Sequence, residues 1–360
     1  MRRYITIAGF LLASVVVYLL VWPVPVNPTS WQAPRDRGLV DPFEPNDRLQ
    51  AAVGIDLGSH EGPEDATLGI DGQVYATTSG GHVIRIENER SSEFAFADGR
   101  PLGIETDHDG TFVIANAYIG LQRIDTDGSV STLLDAVDGQ PLVYANNLAI
   151  GPDGTVYFSE SSSKFGALSS SGTYEASLLD LMEHGGHGRV FAFNPLTGEV
   201  NTLLDKLNYA NGVAVSNDGR FLLVSETGNY RILKYWLAGD QQGHLEILID
   251  NLPGFPDNLK SGADGRFWLG LAAPRNQLLD RLSDKPFVRK VVQRLPAFMR
   301  PKAVPSSHVI AFNEAGEVLM NLQDTAARYP TLTSVVETNR ALYLTTLFGN
   351  ELPRVDKRDL

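Results

Sequence analysis

Four residues of this chain could together grip a hard cation: Glu64, Asn146, Asn211 and Asp257. Each lies seven residues before the first residue of an Asp-Gly pair, at Asp71, Asp153, Asp218 and Asp264. The same offset from two further turns, at Asp109 and Asn339, reaches Leu102 and Leu332. Four of six equivalent positions therefore carry a side-chain oxygen, none carries Lys or Arg, and Asn258 adds one more beside Asp257. Carboxylates and carboxamides converging on one point make a hard-oxygen site, which suits Ca2+ and its loose oxygen coordination. The chain has no cysteine and no histidine at these positions, which disfavours zinc there. Asn and Asp also form turns at strand entrances. That habit explains one or two of the positions, but not Glu64, nor why the apolar exceptions fall in two repeats only.

The element that must bring these residues together is a repeat. Asp71-Gly72 precedes Gln73-Val74-Tyr75-Ala76-Thr77, and Asp109-Gly110 precedes Thr111-Phe112-Val113-Ile114. Asp153-Gly154, Asp218-Gly219 and Asp264-Gly265 each precede a similar β-rich run, and Asn339-Arg340 is a degraded copy. Asp-Gly between two strands is a hairpin signal, because both residues tolerate positive φ. The copies start 38, 44, 65, 46 and 75 residues apart. The short gaps fit one propeller blade, and the long ones imply insertions at about 165–187 and 275–305. A second hairpin in several units, as at Phe193–Val200 and Phe312–Val318, makes each blade four-stranded. The expectation is an all-β, six-bladed propeller over 48–358, in which equivalent positions ring the central channel. The last unit has room for two strands, so the spare strand Leu49 to Ile55 is expected to complete it and close the ring.

Before the repeat, Ile5 to Trp22 runs 18 residues without a charge, after Arg2 and Arg3. A helix of that length is roughly 27 Å long, close to a bilayer core. The exit, Trp22-Pro23-Val24-Pro25, lacks the small-residue pattern of a cleaved signal peptide. Residues 1–22 are therefore read as an uncleaved transmembrane anchor. The positive start leaves the propeller on the extracytoplasmic (periplasmic) side of the cell membrane. Residues 23–47, with several prolines, read as an extended spacer. The net charge of −13 argues against nucleic acid as a partner.

Several phrases are more specific. Tyr144-Ala145-Asn146-Asn147-Leu148, the run Tyr157 to Phe165, Tyr209-Ala210-Asn211-Gly212-Val213, Pro253-Gly254-Phe255-Pro256-Asp257-Asn258 and the run Tyr343 to Phe348 resemble the strictosidine synthase-like family. Within it the resemblance is closest to the adipocyte plasma membrane-associated protein branch, and it covers the chain from about residue 50 onward. The wider clan holds paraoxonases and gluconolactonases, six-bladed propellers that mostly hydrolyse lactones or aryl esters with calcium. The resemblance implies Glu64, Asn146, Asn211, Asp257 and Asn258 as metal ligands, the set reached by spacing. It also implies Asp257 as the base that activates water. Two departures stand out. The catalytic Glu of strictosidine synthase falls on Thr333, which disfavours the alkaloid condensation. Where paraoxonases carry Pro-His-Gly, this chain reads Pro101-Leu102-Gly103.

The expected function is thus a membrane-anchored, calcium-dependent hydrolase of small lactones or aryl esters. The alternative is a non-enzymatic tethered propeller that binds a ligand or partner around a structural calcium. His184 and His187, in a Gly-rich insertion that could cover the channel mouth, are second candidates for the base. Ser159, Ser161, Ser162 and Ser163 sit in no Gly-x-Ser-x-Gly elbow, so a serine nucleophile is not expected. In 285–300, Phe287, Val288, Val291, Val292 and Leu295 recur at helical spacing among Arg289, Lys290, Arg294 and Arg300. This basic amphipathic helix could lie on an anionic membrane surface or dock across the propeller face.

Overall fold

The computed structural model describes residues 2–360. Six four-stranded antiparallel sheets follow one another around a central channel. Their innermost strands are Ala66–Leu68, Pro101–Thr106, Ala145–Ile150, Ala210–Val215, Gly254–Ser261 and Leu332–Glu337. The second strand of each blade is buried on both faces, because each sheet is sandwiched between its neighbours. That is why these strands read as continuous apolar runs, as in Phe221–Glu226, rather than alternating. Aromatic side chains staple neighbouring blades: Phe267 packs against Phe221 of blade four and Phe312 of its own blade, with ring centroids 5.9 Å apart in both pairs.

The turns behave as expected in one half and differently in the other. Gly72, Gly110, Gly154, Gly219 and Gly265 all have φ between 70° and 85°, the region glycine enters without steric cost. Among the preceding Asp residues only Asp264 shares a positive φ. The others act through their carboxylates, as where Asp109 Oδ1 accepts the Thr111 amide at 3.0 Å, an Asx turn.

The ring closes where expected, with one correction. Val53–Asp56 pairs antiparallel with Glu351–Asp356, Val53 opposite Arg354, as the outermost strand of the sixth sheet. The C-terminal part of that blade supplies three strands, not two. Pro353 disguised the third, since proline in a strand removes a ladder donor and reads as an interruption.

Helix α1 (Arg2–Val21) stands out from the body. Its Arg3–Val21 window has a mean hydropathy of 2.4 and none of it is buried. It is the one helix among the described residues long and apolar enough to cross a membrane. Helix α2 (Thr173–Glu183) lies in the insertion of blade three. Helices α3 (Gln277–Arg281) and α4 (Pro286–Arg294) lie in that of blade five.

Residues 23–47 are not an extended spacer but a strap laid on these insertions. Val26 is buried. The Asn27 amide donates to Glu183 Oε2 at 2.6 Å, the Thr29 amide to Glu183 O at 2.9 Å and the Trp31 amide to Ser283 O at 3.1 Å. Arg275 donates to Pro34 O, and Gln323 to Phe43 O at 3.1 Å. Prolines deny the segment its own helix or ladder, so its carbonyls are satisfied by side chains of the body.

Helix α4 docks across the face with Arg289 and Arg294 turned inward. Arg289 is fully buried, and its guanidinium donates to Met182 O and Ser283 O, both at 3.0 Å, and to Thr29 O. Arg294 donates to Leu19 O at 3.0 Å and to Trp22 O. Phe287 and Val288 are the exposed side chains instead. Two of the cations expected to face a membrane, Arg289 and Arg294, are therefore spent on carbonyls, while Lys290 is half-buried and donates to Asn27 Oδ1 at 2.8 Å. Carbonyls at the junction of strap, insertions and anchor recruit the arginines.

Candidate metal centre and the cavity above it

Why the ring positions face the channel is visible in the register. In blades two to six the innermost strand slips by one residue against its neighbour. Ala145 pairs Glu160 but Leu148 pairs Phe158, and Ala210 pairs Glu226 but Val213 pairs Val224. The same slip falls between Pro101 and Ile104, Pro256 and Leu259, and Leu332 and Ser334. Each bulge holds a ring residue or its neighbour, and a bulge re-aims the side chain it carries. Gly212 lets blades four and five close up here: a Cβ on it would lie 2.3 Å from Leu259 N and 2.5 Å from Asp257 O.

Glu64, Asn146, Asn211 and Asp257 all line one cavity of about 720 Å³, open on the face that carries the insertions. Leu102, also on its wall, and Leu332 are the buried apolar members of the ring. Each carboxamide spends its nitrogen on a neighbour. Asn211 Nδ2 donates to Asp257 Oδ1 at 2.7 Å, Asn258 Nδ2 to Glu64 Oε1 at 3.1 Å, and Asn146 Nδ2 to Ser161 Oγ at 2.7 Å. The oxygens are left over: Glu64 Oε2, Asn146 Oδ1, Asn211 Oδ1 and Asn258 Oδ1 are buried without a hydrogen-bond partner. Each such atom costs about 1–3 kcal/mol unless something offsets it. Burial, with repulsion from Asp257 and Asp65, holds the Glu64 carboxyl well above its usual range, and burial pushes Asp257 up to about 7. Two crowded carboxylates and three acceptor-only carboxamide oxygens are the donor set of a hard cation, and a calcium ion fits it.

Beneath this ring the channel is plugged. Lys260 Nζ lies 2.9 Å from Asp65 Oδ2 and 2.8 Å from Glu105 Oε1, and donates to Ile104 O at 2.6 Å. Asp65 Oδ2 also accepts the Ile104 amide at 3.0 Å and Asn147 Nδ2 at 3.3 Å. Burial pushes Asp65 up to about 6 with Lys260 opposing. Burial works against the Lys260 ammonium too, yet Asp65 and Glu105 hold its pKa above the ordinary value. Asp65 adjoins Glu64, so consecutive residues face the oxygen ring and the plug. Nothing in the spacing of Asp65, Glu105 and Lys260 announced the plug.

The cavity wall is largely apolar, formed by Tyr144, Tyr209, Met182, Phe255, Leu279 and Leu347. The hydroxyls of Tyr144 and Tyr209 are 2.5 Å apart, and Tyr144 donates to Thr173 O at 2.8 Å. Ser170, Ser171, Tyr174 and Leu178 come from the insertion of blade three, Arg294, Arg300 and Val304 from that of blade five, and Tyr18 and Trp22 from the anchor. The insertions do roof the mouth, but His184 and His187 are not among the lining residues. His184 stacks on Trp31, centroids 3.9 Å apart, and burial pushes its imidazole down to about 3. His187 Nε2 lies 2.8 Å from Glu183 Oε1, a carboxylate that also binds Lys164. Both serve the contact between the strap and the insertion of blade three. Thr333 is buried, and its hydroxyl donates to Glu64 O at 2.6 Å.

Comparisons with known proteins agree with this architecture. The profile of strictosidine synthase matches residues 146–240, and that of the strictosidine synthase-like N-terminal region matches 41–86. The adipocyte plasma membrane-associated protein of Bos taurus is 31% identical over 357 residues, covering 92% of this chain and 84% of its own. The chain belongs to the strictosidine synthase-like family. Two solved propellers superpose on this member of it. A gluconolactonase of Xanthomonas campestris does so with a TM-score of 0.62 at 16% identity, covering 85% of this chain and 88% of its own. A calcium-binding regucalcin of Agrobacterium tumefaciens does so with 0.58 at 14%, covering 84% and 94%. At those identities the likeness is one of fold.

Proposed function

We propose that this protein is a membrane-anchored hydrolase of lactones or aryl esters that depends on calcium in its channel. The observation that carries the reading is the set of orphaned buried oxygens from Glu64, Asn146 and Asn211 on the wall of an apolar cavity, with that of Asn258 beside them. Glu64, Asn146, Asn211, Asp257 and Asn258 would hold the ion. Bound there, calcium would supply Lewis-acid polarisation of a carbonyl and counter-charge for its developing oxyanion. The protein's own residues do the rest. Asn211 occupies Asp257 Oδ1, so Oδ2 is the atom that takes the proton from an attacking water. Tyr144, Tyr209, Phe255 and Leu102 exclude bulk water and seat an apolar acyl or aryl group. The names borne by the two solved propellers, gluconolactonase and calcium-binding regucalcin, agree with this reading.

Helix α1 would span the membrane with Arg2 and Arg3 on the cytoplasmic side and the propeller outside. Tyr18 and Trp22 at the cavity mouth would bring that mouth to the bilayer surface, which suits lipophilic substrates. A panel of lactones and aryl esters should be assayed with calcium, after chelation and after calcium is restored. Turnover that vanishes with chelator and returns with calcium supports the hydrolase. A chelator that lowers the melting temperature while no ester in the panel is turned over supports a binding propeller with a structural ion instead.

A further inference from the structure

A second cluster of ligating side chains lies away from the channel, on blade one. His60 belongs to the loop between the ring-closing strand and the first blade, His82 opens the strand His82–Glu87, and Glu93 lies on the next strand, Arg90–Phe96. His60 Nε2 is 3.1 Å from Glu93 Oε1, and His82 Nδ1 is 3.8 Å from Glu93 Oε2. One ligand atom from each residue falls within 4.8 Å of the other two. The imidazoles are 4.6 Å apart between centroids. His82 Nδ1 is buried and has no hydrogen-bond partner, an arrangement that a native interior rarely leaves unused.

We infer that His60, His82 and Glu93 form a binding site for a zinc-class transition metal ion, distinct from the hard-oxygen ring. Tetrahedral ligands at the bond lengths of zinc stand about 3.3 Å apart, and the 3.1 and 3.8 Å separations bracket that value. Two imidazoles and one carboxylate are a recurrent zinc set that leaves the fourth position to water. The soft-to-borderline nitrogen donors separate this site from the oxygen ring, which has no histidine. The carboxylate already bridges the two rings, so the ion needs only small shifts of exposed Glu93.

The consequence is mechanical. The loop that carries His60 is pinned where Ser79 donates its amide to Glu61 O at 2.8 Å and Gly62 donates to Gly349 O at 2.7 Å. Four residues beyond His60 the same loop delivers Glu64 to the channel. A metal joining His60 to the outer strands of blade one would clip this loop to the blade, so zinc should stabilise the folded protein by mass action.

The test uses the full chain in detergent, stripped of metal and resupplied with saturating calcium so that the channel ring is filled. Zinc chloride alone is then titrated calorimetrically, and cobalt is followed by its visible absorption. The expected result is one zinc ion per chain, a tetrahedral cobalt spectrum and a zinc-dependent rise in melting temperature. All three should be lost in His82→Ala and in Glu93→Gln, with the metal-free melting temperatures of the variants matching the parent. Absence of zinc binding by the parent overturns the inference, as does binding of unchanged stoichiometry and affinity in both variants. A variant that melts early without metal is replaced by His60→Gln, read by the cobalt spectrum.

Discussion

The side-chain amide of Asn258 reaches across the channel to donate to Oε1 of Glu64 at 3.1 Å, joining blade five to blade one. The bond leaves Glu64 Oε2 and Asn258 Oδ1 without partners. In the metal-free protein Glu64 is thus a liability: a buried carboxylate beside Asp257 and Asp65. Glu64→Gln keeps the shape and removes the charge. Calcium affinity should fall by about 100-fold or more, which is about 3 kcal/mol, while the metal-free protein should melt no earlier than the parent and gain little from added calcium. Calorimetric titration and melting curves with and without calcium check both halves.

Asp257 and the two histidines make opposite predictions. Asp257→Asn keeps a side chain beside Asn211 but loses a proton acceptor, so kcat toward a hydrolysed lactone should fall by about 10²–10⁴-fold. His184→Ala and His187→Ala should leave kcat within about twofold, because neither side chain lines the cavity. They should instead lower the melting temperature, since His184 stacks on Trp31 and His187 ties to Glu183. A large loss of kcat in either histidine variant, with stability unchanged, would return them to the chemistry.

Much of this site was legible because a propeller turns a sequence period into a spatial ring. Asp71, Asp153, Asp218 and Asp264 mark the period, and stepping back from them reaches Glu64, Asn146, Asn211 and Asp257 on one cavity. The bulges that aim these residues are not encoded by residue type at any single position, and only paired registers reveal them. The strap was illegible for a different reason. Its prolines report that the segment makes no ladder of its own, and are silent on what else it packs against. The bonds from Arg275 and Arg289 to Pro34 and Thr29 join residues more than 240 positions apart. His60, His82 and Glu93 carry no recognisable spacing either. Strand pairing and one loop assemble them.

Gly212 follows Asn211 of the oxygen ring, and its importance rests on space alone. A Cβ there would collide with backbone atoms of Asp257, Asn258 and Leu259, which cannot rotate away as a side-chain tip can. Gly212→Ala should cost about 1–3 kcal/mol of stability and, by pushing blades four and five apart, separate Asn211 from Asp257. Calcium affinity should fall although no ligand has been changed. Gly139→Ala, where nothing lies within 4 Å but φ is +74°, provides a contrast: backbone strain without any effect on the metal.

Asp180 of helix α2 predicts a pH effect whose sign can be fixed. Burial pushes its carboxyl up to about 7, with Glu183 adding repulsion and Lys164 opposing. The folded protein therefore holds a proton that the unfolded chain releases near its ordinary pKa of about 3.9. As pH rises from about 4 to about 7, the unfolded state binds fewer protons than the folded one, and stability falls. Asp180→Asn abolishes that slope. Relative to the parent it should be stabilised progressively across this window and by a constant amount above pH 7, with a ceiling of about 4 kcal/mol. Chemical denaturation at pH 4.5, 6 and 8 reads the difference directly, and a variant equally displaced at every pH would refute it.

Removing the anchor separates two ways of meeting a membrane. With residues 1–22 deleted, the body keeps Phe298, Met299 and Val304 exposed on a segment whose Ala297, Arg300 and Val304 line the cavity, Phe298 at 79%, and Phe287 exposed on helix α4. Of the cations that would have drawn it to anionic lipid, Arg289 stays turned inward against Met182 O and Ser283 O, whereas Arg294 loses its partners Leu19 O and Trp22 O with the anchor. Residual vesicle binding should therefore be driven mainly by apolar contact, with a modest preference for anionic lipid from the freed Arg294 together with Arg300 and Lys302. Burying one such side chain is worth about 1.5–3 kcal/mol, so Phe298→Asp should lower partitioning by about tenfold or more, whereas Lys290→Gln should leave it almost unchanged. Sedimentation with vesicles of each charge measures both. Binding confined to anionic vesicles and abolished by Lys290→Gln would mean that the basic residues, and not the aromatic rim, face the lipid.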